Sequence, residues 1–190
     1  MSSVAQKGQP LKENAEMELQ LSQTHRVFVG GPIKHAIQQG DYDEELRVLI
    51  LSVLSSLTND GCEVFSAHLT EGFGLDSSAT TSYEITRRDF DWMRRCDIFV
   101  AILPAGLDGA LRTDGTHVEL GWASALSKPI VAVVPLPLPE NYGHLLHGLE
   151  CIAKVCFVDI SDVQKDPTAL TKVVKQQRQN GYSDGTSVDT

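Results

Sequence analysis

At 190 residues the chain is long enough for one domain with a sizeable core, and its 42% apolar and 22% charged residues are ordinary for a soluble globular protein. A net charge of −9 speaks against broad binding to nucleic acid or to an anionic membrane surface, so any phosphate must be held locally, by backbone amides and a few cations. The longest apolar run, Ile130 to Leu136, is too short to span a bilayer, and the first residues hold no apolar signal core. The four cysteines, Cys62, Cys96, Cys151 and Cys156, show neither zinc nor redox spacing and read as buried free thiols. A cytoplasmic location is expected.

Residues 1–24 are polar and aperiodic and read as a flexible tail, as do residues 178–190; a single α/β domain is expected over 25–177. A first strand, Arg26–Gly30, runs straight into Gly31-Pro-Ile-Lys34. A helix follows over Tyr42–Asn59, where Leu46, Ile50, Val53, Leu54 and Leu57 recur at helical spacing. The second strand, Cys62–Ser66, places His68 and Glu71 at its carboxyl end, ahead of a segment, Asp76 to Ser82, that reads as a lid or binding loop. Next come a helix over Tyr83–Arg95, a strand at Ile98–Leu103, a helix over Thr116–Leu126 and a strand at Ile130–Val134. A helix over Asn141–Ile152, a strand at Val155–Val158 and a weaker helix after Asp162 complete the series. Short, almost wholly apolar strands alternating with helices predict a five-stranded, doubly wound parallel sheet of the flavodoxin/Rossmann-like kind, with helices on both faces. Such sheets bind ligands at the carboxyl ends of their strands, near the topological switch point.

Two carboxylates stand out. Glu119, in Asp114-Gly-Thr-His-Val-Glu-Leu-Gly-Trp-Ala123, is placed one turn into a helix, where backbone N–H groups and the helix dipole would keep it ionised, as a nucleophile must be. The plain alternative is that Thr116-x-x-Glu119 is a capping box, and spacing alone favours it. Asp89 falls in the middle of an apolar helix face made by Ile85, Trp92, Met93 and Cys96, while Arg87, Arg88, Asp91, Arg94 and Arg95 point the other way. A buried aspartate needs a partner, and a catalytic role and a structural hydrogen-bonding role are equally open there. Gly30 and Gly31, with Lys34 nearby, form either a phosphate cradle or a simple turn. A lone His68 is more simply a hydrogen-bonded structural histidine, and with only scattered His117, His144 and His147 besides, no metal site is expected.

Taken in order, three blocks resemble the nucleoside 2-deoxyribosyltransferase-like family: Phe28-Val-Gly-Gly-Pro-Ile-Lys34, Arg88-Asp-Phe-Asp-Trp-Met-Arg-Arg-Cys-Asp-Ile-Phe-Val100, and Gly115-Thr-His-Val-Glu-Leu-Gly-Trp-Ala123. The resemblance covers roughly Arg26 to Ile160. That family includes nucleoside 2'-deoxyribosyltransferases, 2'-deoxynucleoside 5'-monophosphate N-glycosidases, and the CMP and hydroxymethyl-CMP N-glycosidases of nucleoside-antibiotic pathways. The resemblance places the nucleophile on Glu119 and the catalytic aspartate on Asp89. It puts Gly31, Lys34, Thr113 and Gly115 around a 5'-phosphate, and Ile33 and His68 near the base. Lys34 stands where deoxynucleotide glycosidases carry arginine. Phe28 stands where deoxynucleotide-specific members carry a tyrosine that crowds the sugar's 2' position, which favours a ribonucleotide.

The resemblance therefore implies hydrolysis of a pyrimidine ribonucleoside 5'-monophosphate, CMP or a 5-substituted CMP, without metal or cofactor. It also implies a homo-oligomer in which Pro135–Gly148, carrying His144, lies near a neighbour's site. Deoxynucleotide cleavage, deoxyribosyl transfer and a catalytically silent nucleotide sensor are the rival expectations.

Overall fold

In a computed structural model of the chain, residues 24–33, 44–74, 80–106, 109–110 and 113–183 are described. Five strands, β1 (Arg26–Gly30), β2 (Glu63–Phe65), β3 (Ile98–Ile102), β4 (Ile130–Val134) and β5 (Val155–Asp159), form one parallel sheet in the order β2-β1-β3-β4-β5. Successive strands step outward from β1 in one direction and from β3 in the other, so the switch point lies between β1 and β3. The expected doubly wound α/β architecture is what the chain adopts.

Strand alternation sorts the core into two halves. Val27, Val29, Ile98, Val100, Ile102, Val131 and Val133 face helix α1 (Glu44–Asn59), the short helix Ile160–Lys165 and helix α4 (Thr168–Ser183), through Leu46, Leu49, Ile50, Val53, Leu54, Leu57, Val163, Leu170 and Val174. On the other face Phe28, Phe65, Phe99, Ala101, Ile130, Ala132 and Val134 meet Met93 of α2 (Ser82–Arg95), Cys96 at its C-cap, and Leu120 and Ala123 of α3 (Asp114–Ala125). Phe28 is in register with both Phe65 and Phe99, so one row of this face is built of phenyl rings. One row nearer the carboxyl end, Gly30 pairs with Ala101, and Ala101 with Ala132. A row of small side chains after a row of large ones leaves a hollow above the sheet at the switch point.

Several boundaries differ from the sequence reading. Helix α1 starts at Glu44, with residues 42–43 outside the described set. Helix α3 begins two residues earlier than expected, at Asp114. The predicted helix over Asn141–Ile152 is instead a single turn, His144–His147, and a 3₁₀ turn, Leu149–Cys151, separated by Gly148. Gly143 and Gly148 each disfavour helix by about 1 kcal/mol, too much for so short a segment. Helix α4 reaches Ser183, past residue 177, the expected end of the domain. An antiparallel bridge between Ala105–Gly106 and Gly109–Ala110 was not anticipated. All four cysteines are free, but only Cys96 is buried: Cys62 and Cys156 are half-buried, and Cys151 is exposed on the 3₁₀ turn. Among the described residues no helix is long and apolar enough to cross a membrane.

Candidate active site

The hollow above Gly30 is filled from two helices. Helix α2 is set by a capping box: the Thr81 hydroxyl accepts from the Glu84 amide (3.3 Å) and the Thr81 amide donates to the Glu84 carboxylate (2.9 Å). From that start Asp89, Met93 and Cys96 fall on the inward face, and all three are buried. Helix α3 starts after Thr113, whose carbonyl accepts the first helical bond from the His117 amide at 2.9 Å. Thr116, Glu119, Leu120 and Ala123 then share its buried face.

This frame overturns the capping-box reading of Thr116-x-x-Glu119. Thr116 already lies inside the helix, and Glu119 sits in the second turn, beyond reach of the N-cap. It also corrects the expectation that Glu119 stays ionised. Burial pushes its pKa up to about 8, repulsion from Asp89 adds to the rise, and Arg88 opposes it. The dipole fades within the first turn, so it does not compensate. Oxygen Oε2 of Glu119 accepts no hydrogen bond among the described residues. It hangs over Gly30 so closely that a Cβ at that position would collide with it, and the Phe99 ring edge would lie 3.0 Å from the same Cβ. Here glycine is required for close approach, since nothing larger than hydrogen fits beneath the carboxyl group.

Asp89 is likewise buried, and burial raises its pKa against the pull of Arg88. The sequence reading sent Arg88 outward with Arg87, Asp91, Arg94 and Arg95. Those four are exposed, but Arg88 folds back. Its Nε donates to Asp89 Oδ1 at 2.9 Å, its Nη2 donates to Glu71 Oε1 at 2.6 Å, and its guanidinium carbon lies 4.5 Å from the Trp92 ring centroid. The signal was visible in Arg88-x-x-x-Trp92: four residues apart on a helix, a guanidinium reaches a ring face.

The segment after β2 supplies Glu71 and His68, both buried. His68 Nδ1 lies 3.2 Å from the Ser66 hydroxyl, while Nε2 has no hydrogen-bond partner among the described residues. Burial lowers its pKa to about 4 despite the nearby Pro32 carbonyl, so the ring is neutral at pH 7. Its Cε1 would lie 3.4 Å from a Cβ on Gly31. Phe28 is 0% exposed, with its ring centroid 5.8 Å from Trp92 and 5.2 Å from Phe99, one row below the floor of the hollow. Thr113 is buried at the start of α3, with Oγ1 3.0 Å from His117 Nδ1, and a Cβ on Gly115 would meet nothing within 4 Å. Ile33 is half-buried at the end of the β1 loop, and Lys34 lies outside the described residues.

Two acids on neighbouring helices, a glycine floor and a neutral histidine thus converge at the carboxyl end of β1. The profile of the family described as nucleoside 2-deoxyribosyltransferase matches residues 27–149. The chain belongs to this family. Among solved structures, BlsM, determined in solution, is 34% identical with a TM-score of 0.58, the match covering 75% of this chain and 86% of BlsM. The CMP N-glycosidase BcmB of Clostridium botulinum is 24% identical with a TM-score of 0.55, covering 78% of this chain and 98% of that one. A search of curated sequences finds no match. The nucleoside 2-deoxyribosyltransferase match spans Gly30, Gly31, His68, Glu71, Arg88, Asp89 and Glu119.

Proposed function

We propose that the protein hydrolyses the N-glycosidic bond of a pyrimidine ribonucleoside 5'-monophosphate, CMP or a 5-substituted CMP, giving free base and ribose 5-phosphate. The observation that carries this reading is the Glu119 carboxyl group, buried beside Asp89 over a glycine floor, with Oε2 lacking a hydrogen-bond partner among the described residues. A buried polar atom without a partner is costly, and a site that binds a sugar explains the cost.

In the free protein the pair holds a proton, which burial places on Glu119. Passing it to Asp89 leaves an ionised nucleophile and an acid. Glu119 then attacks C1', the electrons of the C1'–N bond go to the base, and Asp89 supplies the base with the proton. Water attacks C1' of the glycosyl ester, Asp89 accepts its proton, and Glu119 leaves as carboxylate. One difficult displacement becomes two. Gly31, Thr113, Gly115 and Lys34 are assigned to the 5'-phosphate, where the amides of residues 114–116 at the start of α3 are natural donors. Ile33 and His68 are assigned to the base, and Phe28 to discrimination at the 2' position. We assign a homo-oligomer as well: Leu145, beside His144, is 90% exposed, whereas Leu146 and Leu149 are buried.

Base release from CMP, dCMP and cytidine, measured side by side, tests the reading. CMP should be cleaved fastest. Preference for dCMP moves the protein to deoxynucleotide cleavage, equal cleavage of cytidine revives nucleoside transfer, and tight binding without release leaves a sensor.

A further inference from the structure

One guanidinium ties the segment after β2 to helix α2 at the site. Arg88 Nη2 is 2.6 Å from Glu71 Oε1 and 2.8 Å from Asp89 Oδ1, Nε is 2.9 Å from the same Asp89 oxygen, and the group lies over Trp92. Glu71 and Asp89 are both buried, so each needs a counter-charge, and Arg88 serves both. A single salt bridge would satisfy Asp89. The added anchor on Glu71 and the ring beneath fix the guanidinium in orientation, and thereby fix the aspartate.

Building on the glycosidase reading above, we infer that Arg88 is a positioning residue. Anchored by Glu71 and braced on Trp92, it holds the Asp89 carboxylate toward the reaction and determines how the pair Asp89–Glu119 divides its proton. Among the described residues, the charged and titratable groups facing that pair are Arg88 from α2 and Glu71 and His68 from the segment after β2. His68 is neutral at working pH, and the Tyr142 hydroxyl is engaged by the Leu103 carbonyl at 2.9 Å. Arg88 is the cation that faces both carboxyls, and a guanidinium cannot give up its proton. It therefore favours the charged form of each acid. A lysine would keep the charge but not the fork or the stacking.

The test uses the full chain with ¹³C-labelled carboxyl groups, following Glu119 and Asp89 by NMR titration alongside melting curves and the pH dependence of base release from CMP. In Arg88→Met both titrations should move to higher pH, Glu119 by about one unit, the lower end of the effect of a nearby opposite charge. The acid limb of the rate profile should follow. In Arg88→Lys the titrations should stay near the wild-type position while kcat falls at least tenfold and KM changes little. A lower melting temperature in both variants with unmoved titrations and unchanged kcat would reduce Arg88 to a structural brace and overturn the inference. Titrations that shift as expected in a protein that releases base from none of the nucleotides would keep the role of Arg88 and sink the glycosidase reading instead.

Discussion

The two faces of the sheet are built from different materials. The face covered by α1 and α4 is aliphatic apart from Phe73, built of valines, leucines and isoleucines, and among the described residues no charged side chain is buried within it. The face covered by α2 and α3 is aromatic, with Phe28, Phe65, Phe99 and Trp92 packed ring to ring, and it carries Asp89 and Glu119 at its carboxyl end. Dispersion and apolar burial explain the first face fully. The second keeps costly groups that packing does not explain. A fold can thus assign stability to one half-core and chemistry to the other.

The largest effect should come from removing the costliest group. Glu119→Gln should abolish base release, yet raise the melting temperature at pH 8. The sign follows from linkage: with a folded pKa near 8 against an ordinary value of 4.5, the folded state binds the extra proton, so stability falls as pH rises between those values. His68, depressed to about 4, acts oppositely between about 4 and 6.5, so the decline from about 6.5 to 8 is assigned to the Glu119–Asp89 pair, with Glu119 leading. Melting curves across pH for both proteins check this. A wild-type decline that persists in Glu119→Gln would remove the assignment.

Asp89→Asn should lower kcat by about 10²–10⁴, the usual range for a general acid. Because Asp89 repels a proton-free Glu119, its loss should also move the acid limb of the rate profile to lower pH. A collapsed melting temperature with unchanged turnover would instead make Asp89 a structural hub. The opposite face supplies the contrast. Leu57→Ala, at a fully buried position in α1, should cost about 2–5 kcal/mol in denaturant unfolding and leave the rate profile where it was.

The smallest effect concerns the sugar. Phe28→Tyr should depress CMP cleavage more than dCMP cleavage by roughly ten- to hundredfold, since overpacking costs about 1–3 kcal/mol. Val27, whose side chain is in the aliphatic core, is the control position. Equal losses on both substrates would confine Phe28 to packing.

The sheet was legible in the sequence because buried parallel strands are short apolar runs, and Ile98–Ile102 and Ile130–Val134 have no other reading. Asp89 was legible for a related reason: an acid on an apolar helix face breaks a pattern. The state of Glu119 was not. Its protonation depends on burial between two helices, and a Thr-x-x-Glu spacing invited a helix start two residues too late. Arg88 was misread because helical spacing gives a direction for Cα, not for a long side chain that doubles back onto a ring. The break at Gly148 was visible in composition, but the neighbouring leucines, at helical spacing, masked it.

The close fit of Glu119 over Gly30 has a consequence for how this sequence can vary. Gly30→Ala alone should keep the fold, because the obstructed atom is the tip of a flexible side chain, but it should displace the carboxyl group and cost most of the activity. Glu119→Asp alone should withdraw the carboxyl group by one methylene. Together, the shorter acid clears the added methyl, so the double variant should be more stable than additivity of the two single changes allows. Divergent copies of this chain would then cross between the two states at both positions at once, and a drifting lineage that had lost turnover would be free to fill position 30 first.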